Sequence, residues 1–399
     1  MLSRHKAHVA LDAKMPELQA AFLAARRDID QAMAAISELA RLGASDIRAA
    51  LRRPWPGALP TREYELYPGQ IVPFAPAFAN HEEARGWAMR VLQGQPTFAV
   101  DGSQLEPLPD LYLPVAAAQV AWFLNYHEAG RPPERDLAIE VRAGNDLRTA
   151  VGGGPIDVLR FQMEVERLTD FVRNCRGRSD LAGRPVPVCF YDGPLVVSFA
   201  SPSVAGRRDV YVRAICDLIE ASEKARVPVI GYVADSAASD FRAMLQSLGF
   251  VHGESSVSDA ALMARILRKW GERSPAYVCA RDDEVLRSYA RRDGTPLWDQ
   301  VGFCYLRTSA DGRPSRLEFP LWILDDPETF DRTIDVVRAE CIVGLGYPYC
   351  LETADQTAVL TARDRQVFDD MIAYVADGYG LDLGHTIKAR SKRRRRQGV

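Results

Sequence analysis

The chain has 399 residues, 47% hydrophobic and 26% charged, a balance that suits a globular protein filling one large or two ordinary cores. Its formal net charge of −3 gives no global attraction to nucleic acid, so any such binding has to come from local patches. No apolar stretch approaches the roughly 20 residues that cross a bilayer and no leader pattern opens the chain, so membrane insertion and secretion are not expected and a cytoplasmic setting is. The seven cysteines include no C-x-x-C pair and sit mostly in apolar runs, which predicts reduced thiols used as small core residues.

Residues 1 to about 50 place Leu18, Phe22, Ile29, Met33, Ile36 and Leu39 at helical spacing. They predict a helical arm, packed on its own domain or on a second subunit or partner. Pro54, Pro56, Gly57, Pro60, Pro68, Gly69, Pro73 and Pro76 follow and predict a linker or wrapping loop. A short helix is expected over 81–94. Gly94 to Pro96 then leads into Phe98-Ala99-Val100-Asp101-Gly102-Ser103, an apolar strand that ends on an acid. A carboxylate placed there needs a partner, a proton or a metal.

Two more strands are expected, over 113–126 and 137–142, antiparallel to the first. The glycine run at 152–154 lacks the Gly-Lys-Ser/Thr of a phosphate-binding loop, so nucleotide hydrolysis is not expected. Residues 156–175 are amphipathic at helical period. Arg160 and Glu164 share a face there with Leu168 and Phe171, so Glu164 points inward or toward a cleft unless it is spent on a surface ion pair; Glu166 lies on another face. Val186 to Tyr191 is a second apolar strand ending on Asp192-Gly193. Each Asp-Gly alone reads as a hairpin turn, but two strand-end acids suggest a shared divalent metal.

Beyond Asp192 come a helix over 210–225, a strand over 228–233 and a helix over 240–248. The order is three antiparallel strands, then alternating helix and strand. It predicts an α/β fold with a ribonuclease H-like mixed sheet flanked by helices, in which acids on the first and fourth strands converge. Domain limits follow: 1–94 as the arm and wrapping segment, 95–380 as the catalytic domain, and 381–399 as a basic disordered tail around Lys388 to Arg396.

The chain resembles the NurA nuclease family, partners of HerA-type hexameric DNA-pumping ATPases. The resemblance rests on Ala99 to Ser103, the Arg160/Glu164 helix, Tyr191 to Gly193, Gly231 to Val233 and Ser258 to Ala260. It continues in Gly271 to Ser274, Gly346 to Tyr349 and Glu352 to Asp355. It implies a homodimer that digests DNA from the 5′ end and cuts single strands internally, with Mn²⁺ or Mg²⁺ as cofactor. The family's acids fall on Asp101, Glu164 and Asp192, and its late aromatic on Tyr347 or Tyr349. Asp355 stands where archaeal members are expected to carry a histidine; it would be a fourth metal ligand, and Asp235 an extra acid. Arg268, Lys269 and Arg273 offer a phosphate-tracking edge. The competing expectation is a degenerate scaffold that binds the ATPase and DNA without cutting. A serine hydrolase and a zinc enzyme lack the Gly-x-Ser-x-Gly elbow and paired His or Cys spacing that they need.

Overall fold

A computed structural model describes residues 2–107, 114–147, 154–200, 207–310 and 312–381. The glycines at 152 and 153, the start of the second predicted strand and the basic tail lie outside the described residues.

The elements run α1 (Arg4–Leu39), α2 (Ala44–Ala50), β1 (Gly57–Pro60), α3 (Glu63–Leu66), α4 (His81–Leu92), β2 (Thr97–Leu105), β3 (Val115–Asn125) and β4 (Glu134–Ala143). They continue with α5 (Pro155–Asn174), β5 (Val188–Asp192), α6 (Arg207–Ala225), β6 (Val229–Val233), α7 (Asp240–Ser247), α8 (Asp259–Ile266), β7 (Tyr277–Ala280) and α9 (Glu284–Arg287). Last come β8 (Val301–Leu306), β9 (Ser315–Pro320), α10 (Pro327–Val343), α11 (Tyr349–Ala358) and α12 (Ala362–Gly378). They form two compact units. One comprises 1–77, 233–283 and 298–318; the other comprises 78–232, 284–297 and 319–399.

The second unit carries strands in the order β6-β5-β2-β3-β4. β2, β3 and β4 pair antiparallel, while β5 joins β2 in parallel and β6 joins β5 in parallel. This is the ribonuclease H-like arrangement predicted from the element order. β3 is buried along almost its whole length and β5 is apolar until its last residue, as sheet strands covered on both faces must be. Successive side chains of β2 alternate between the two helical layers. Gln104 reaches α5, whereas Ser103 donates to the carbonyl of Ala358 at the end of α11, helped by Gln119 at 3.1 Å. Phe98 stacks on Phe171 of α5 with ring centroids 3.7 Å apart.

In the first unit β1, β7, β8 and β9 follow one another in that order. β1 overturns part of the expected wrapping loop. Gly57 to Pro60 pair antiparallel with Ala280 to Tyr277, and the prolines fall beside and at the end of an edge strand, where no ladder donor is lost. Proline content here marked an edge rather than irregular chain.

That unit also encloses a charge network. Asp240 forms a bidentate pair with Arg281 (2.7 Å and 2.7 Å) and a contact with Arg316 at 2.8 Å, and Arg316 also pairs with Glu318 at 2.7 Å. Asp259 accepts the N–H groups of Phe241 and Arg242 at the start of α7. Burial first, and the nearby Asp240 charge second, push its carboxyl up to about 7. An acid raised above its ordinary value contributes stability below pH ~4, and this is lost as pH climbs toward 7. Calorimetry across pH 4–7.5 should therefore show a steeper fall in Tm for the wild type than for Asp259→Asn. Equal slopes would mean that Asp259 is not the titrating group.

Candidate active site

Two adjacent strands build the centre. β2 and β5 run parallel with Val100 opposite Tyr191, so Asp101 and Asp192 occupy the next rung, on strands about 4.8 Å apart. Asp101 is not at a strand end, as its sequence suggested. β2 continues to Leu105, paired with β3, and Asp101 stands opposite Ala121. What ends there is the pairing with β5, whose chain turns away after Asp192.

Glu164 enters from α5 and is 4% exposed. Its Oε1 occupies the space above Gly102, where the Cβ of any other residue would collide with it and lie 3.0 Å from Arg160 Cγ. The glycine is thus a gap in β2 through which an acid from the opposite layer approaches Asp101. Arg160 pairs with Glu164 through Nη1 and is held from behind by Gln104 Oε1 at 3.1 Å. The pair is part-buried inside this site, not a surface ion pair. Glu166 is exposed and accepts a hydrogen bond from Gln162, in line with its place on another face.

The late segment comes over the same rung. Tyr347 donates its hydroxyl to the Asp192 carboxylate and sets its ring edge-on to Tyr232, with centroids 5.2 Å apart. Tyr349 instead opens α11 and packs edge-on against Phe123 of β3. Of the two tyrosines, Tyr347 is the one that reaches the acids. Asp355, on the exposed side of α11, acts electrostatically on both Asp101 and Asp192. α11 is anchored by Glu340, fully buried in α10, which accepts from Thr97 Oγ1 of β2 and from the N–H of Cys350, each at 2.9 Å.

Electrostatics follow from this crowding. Burial, with the charges of Asp192 and Asp355, pushes Asp101 up to about 6 against the lowering effect of its hydrogen bond to the Gly102 backbone. Burial also pushes Glu164 up to about 7, reinforced by Asp101 and opposed by Arg160. Asp192 keeps an open path to solvent, yet the protein around it desolvates it enough to raise its pKa, with the Tyr347 hydroxyl opposing. Tyr347 is itself raised by burial and by Asp192. Asp101, Glu164 and Asp192, all raised first by burial, stand with Asp355 around one arginine, which makes a site short of positive charge.

Among the described residues no three of these groups converge into a ready metal cage, and Glu164 gives an oxygen to Arg160. The donor set nevertheless fits a hard divalent cation. Its ligands would all be carboxylate oxygens, and a cation would offset the cost of ionising acids that burial, and to a lesser degree repulsion, holds toward the protonated form.

Several predicted residues lie elsewhere, in the first unit. Arg273 is 1% exposed and bidentate to Glu63, so its guanidinium has no surface to offer a phosphate. That expectation is corrected: an arginine in a polar-looking tetrapeptide became a buried structural ion pair. Glu272 turns inward to accept the N–H groups of Arg268 and Lys269 at 2.8 Å each, leaving both those side chains exposed. Ser258 caps α8. Asp235 is an exposed acid in the turn after β6. Sequence reasoning missed the parts played by Gly102, Gln104 and Glu340. The Asp-Gly signal is present at Gly102, but in sequence it reads as a turn.

A model of the NurA domain family matches residues 95–360. Among solved structures, the NurA nuclease from Sulfolobus solfataricus aligns with 71% of this chain and 85% of its own at 13% identity and a TM-score of 0.47. A structure of NurA with manganese aligns over 71% and 89% of the two chains at 11% identity and a TM-score of 0.39. The catalytic domain of human Endonuclease V aligns over 80% and 96% at 13% identity and a TM-score of 0.31. Comparison with curated proteins found no match.

Proposed function

Because the chain belongs to the NurA domain family, whose model covers two thirds of it, we propose that it is a divalent-metal-dependent DNA nuclease hydrolysing phosphodiester bonds. The observation that carries this reading is the single rung of Asp101 and Asp192, with Glu164, Tyr347 and Asp355 arranged around it. Residues 95–380 would carry the nuclease, 1–94 the arm and 381–399 a basic tail able to contact DNA, with Arg268 and Lys269 as further surface cations.

Asp101, Asp192 and Asp355 would hold Mn²⁺ or Mg²⁺, and Glu164 would complete the ligand set. When bound, such cations offset charge on a scissile phosphate and acidify water. The chain's own residues do the positioning. Tyr347 fixes the Asp192 oxygens through its hydroxyl, and the buried Glu340 holds α11, hence Asp355, against β2. Arg160, steadied by Gln104, opposes the protonation that burial favours at Glu164 and puts one positive charge among the acids. A HerA-type hexameric ATPase as motor, a homodimer, and 5′-to-3′ digestion with single-strand endonuclease activity complete the proposal. Its setting would be cytoplasmic end processing, repair or defence.

The test is release of nucleotides from linear DNA labelled at one end, with Mn²⁺, Mg²⁺ or EDTA. Label at the 5′ end should appear as mononucleotide at the earliest times with a metal and never with EDTA. No cleavage by the wild type, even with its cognate ATPase, would overturn the catalytic reading in favour of the scaffold.

A further inference from the structure

α1 is 36 residues long, about 54 Å, and its buried residues lie only at its C-terminal end, from Ala32 onward. Ala32, Ile36 and Leu39 are buried, and α1 lies on α7 and α8 of its own unit. The apolar positions nevertheless continue toward the N-terminus with the same spacing of three and four: Leu39, Ile36, Ala32, Ile29, Ala25, Phe22, Leu18, Met15 and Leu11. Along the first half this stripe is bare. Leu11 is 60% exposed, Met15 44%, Leu18 54% and Phe22 68%. A repeat of 3.5 residues sustained over four heptads is the pattern of a helix that pairs with another helix, not of a solvated arm. Pro16 costs one helical hydrogen bond but falls at an outer position, beside the stripe and not in it.

The flanking charges select the occupant. The positions on one side of the stripe are Lys14, Ala21 and Asp28; those on the other are Asp12, Gln19 and Arg26. If a second copy of α1 lies antiparallel with residue 20 at the two-fold axis, Lys14 meets Asp28 of the second copy and Asp12 meets its Arg26. Gln19 and Ala21 then each meet their own counterparts. Every charged pair is of opposite sign, and the apolar layers become Leu11 on Ile29, Met15 on Ala25 and Leu18 on Phe22. A parallel pairing would bring together no such set. Lys14 also reaches Glu17 within its own helix at 2.7 Å, a contact on the outward side that does not compete for the stripe.

We propose that two copies of this chain associate through residues 11–29 of their α1 helices, packed as an antiparallel coiled coil centred near residue 20. This rests on the homodimer reading and assigns the surface that makes it. A symmetric pairing of one patch with itself closes as a dimer and leaves no free end to grow.

Mass measurement of the full-length protein by light scattering and sedimentation tests both levels. The wild type should be a dimer, and Leu18→Glu with Phe22→Glu should be a monomer of unchanged helical content by circular dichroism. Lys14→Glu should weaken the dimer roughly tenfold, since two pairs turn repulsive, and adding Asp28→Lys in the same chain should restore it. All seven native cysteines are buried, so a short thiol cross-linker reads an introduced one. Ala21→Cys should link to its counterpart. Lys14→Cys should not, because antiparallel helices hold the two copies of residue 14 about 18 Å apart along the axis. A dimer that survives the double glutamate variant, or equal linking at 14 and 21, overturns the α1 assignment and leaves the homodimer standing. A wild type that is monomeric overturns both.

Discussion

Asp101→Asn and Asp192→Asn should each lower DNA cleavage on the order of 10³-fold while leaving the protein folded, and at neutral pH no less stable. The size follows from removing a charged group that faces the reacting centre, which typically costs two to three decades, here compounded by loss of a metal ligand. The stability expectation has the opposite sign because burial penalises the ionised acids, with repulsion between them adding to it. Burial pushes Asp101 up to about 6 and Glu164 up to about 7, so ionising them works against folding at pH 7, and an isosteric amide relieves one of the mutually repelling groups. Activity lost together with a markedly lower Tm would instead point to misfolding. The same shifts set a pH dependence for metal binding. A cation has to displace protons from groups whose pKa values are about 6 and about 7, so Mn²⁺ affinity measured by calorimetry should rise between pH 5.5 and 7.5, with proton release on binding. In Asp101→Asn with Glu164→Gln, that rise should flatten. A rise of equal steepness in the double variant would show that other groups hold the ion.

Gly57→Ala should destabilise the first unit by about 3–5 kcal/mol, the sum of left-handed backbone strain and overpacking. Gly57 has φ +99°, and an added Cβ would strike the backbone carbonyl of Asp240, lie 2.5 Å from Ala243 Cβ and lie 3.1 Å from the Met244 nitrogen. The obstacle is mostly helix backbone and cannot swing aside. Trp55, two residues earlier, packs edge-on against Trp298 with centroids 4.7 Å apart, so urea unfolding followed by tryptophan fluorescence reports on this corner. Gly69→Ala is the control. No heavy atom lies within 4 Å of its added Cβ, and the change should be neutral or slightly stabilising. If both variants unfold at the wild-type urea concentration, β1 is not held against α7 as described.

The parts of the fold that could be read in advance share one property: their residues announce their surroundings locally. β3 is nearly unbroken apolar chain, and Ile156, Leu159, Val165, Leu168 and Val172 of α5 repeat at helical period and are all buried. The order of such elements was enough for the ribonuclease H-like arrangement, because short right-handed connections leave few alternatives. Elements that depend on a distant partner were misread. β1 is a strand because residues 277–280 offer it a ladder, and nothing between Pro54 and Pro60 states this. Arg273 looked like a surface cation because its partner, Glu63, is 210 positions away in the chain.

The candidate site divides along the same line. The sequence by itself determined which acids stand at the junction of β2 and β5, since the Asp-Gly pairs that close two apolar runs are local features and parallel pairing of those strands sets them side by side. It also placed Glu164 on the stripe of Leu168 and Phe171 by helical period, leaving an inward acid and a surface ion pair with Arg160 both open; its burial is a tertiary outcome. Only the tertiary structure decided how these groups meet: that Gly102 is a gap for Glu164 and not a turn, that Tyr347 and not Tyr349 reaches Asp192, that Arg160 is tied to the acids, and that Asp355 faces them from α11. The reason is physical. Period and propensity report the face on which a side chain lies, but the pKa of an acid and the reach of a hydroxyl depend on groups brought within a few ångströms by the packing of separate helices onto one sheet, and that packing is an outcome of the whole chain.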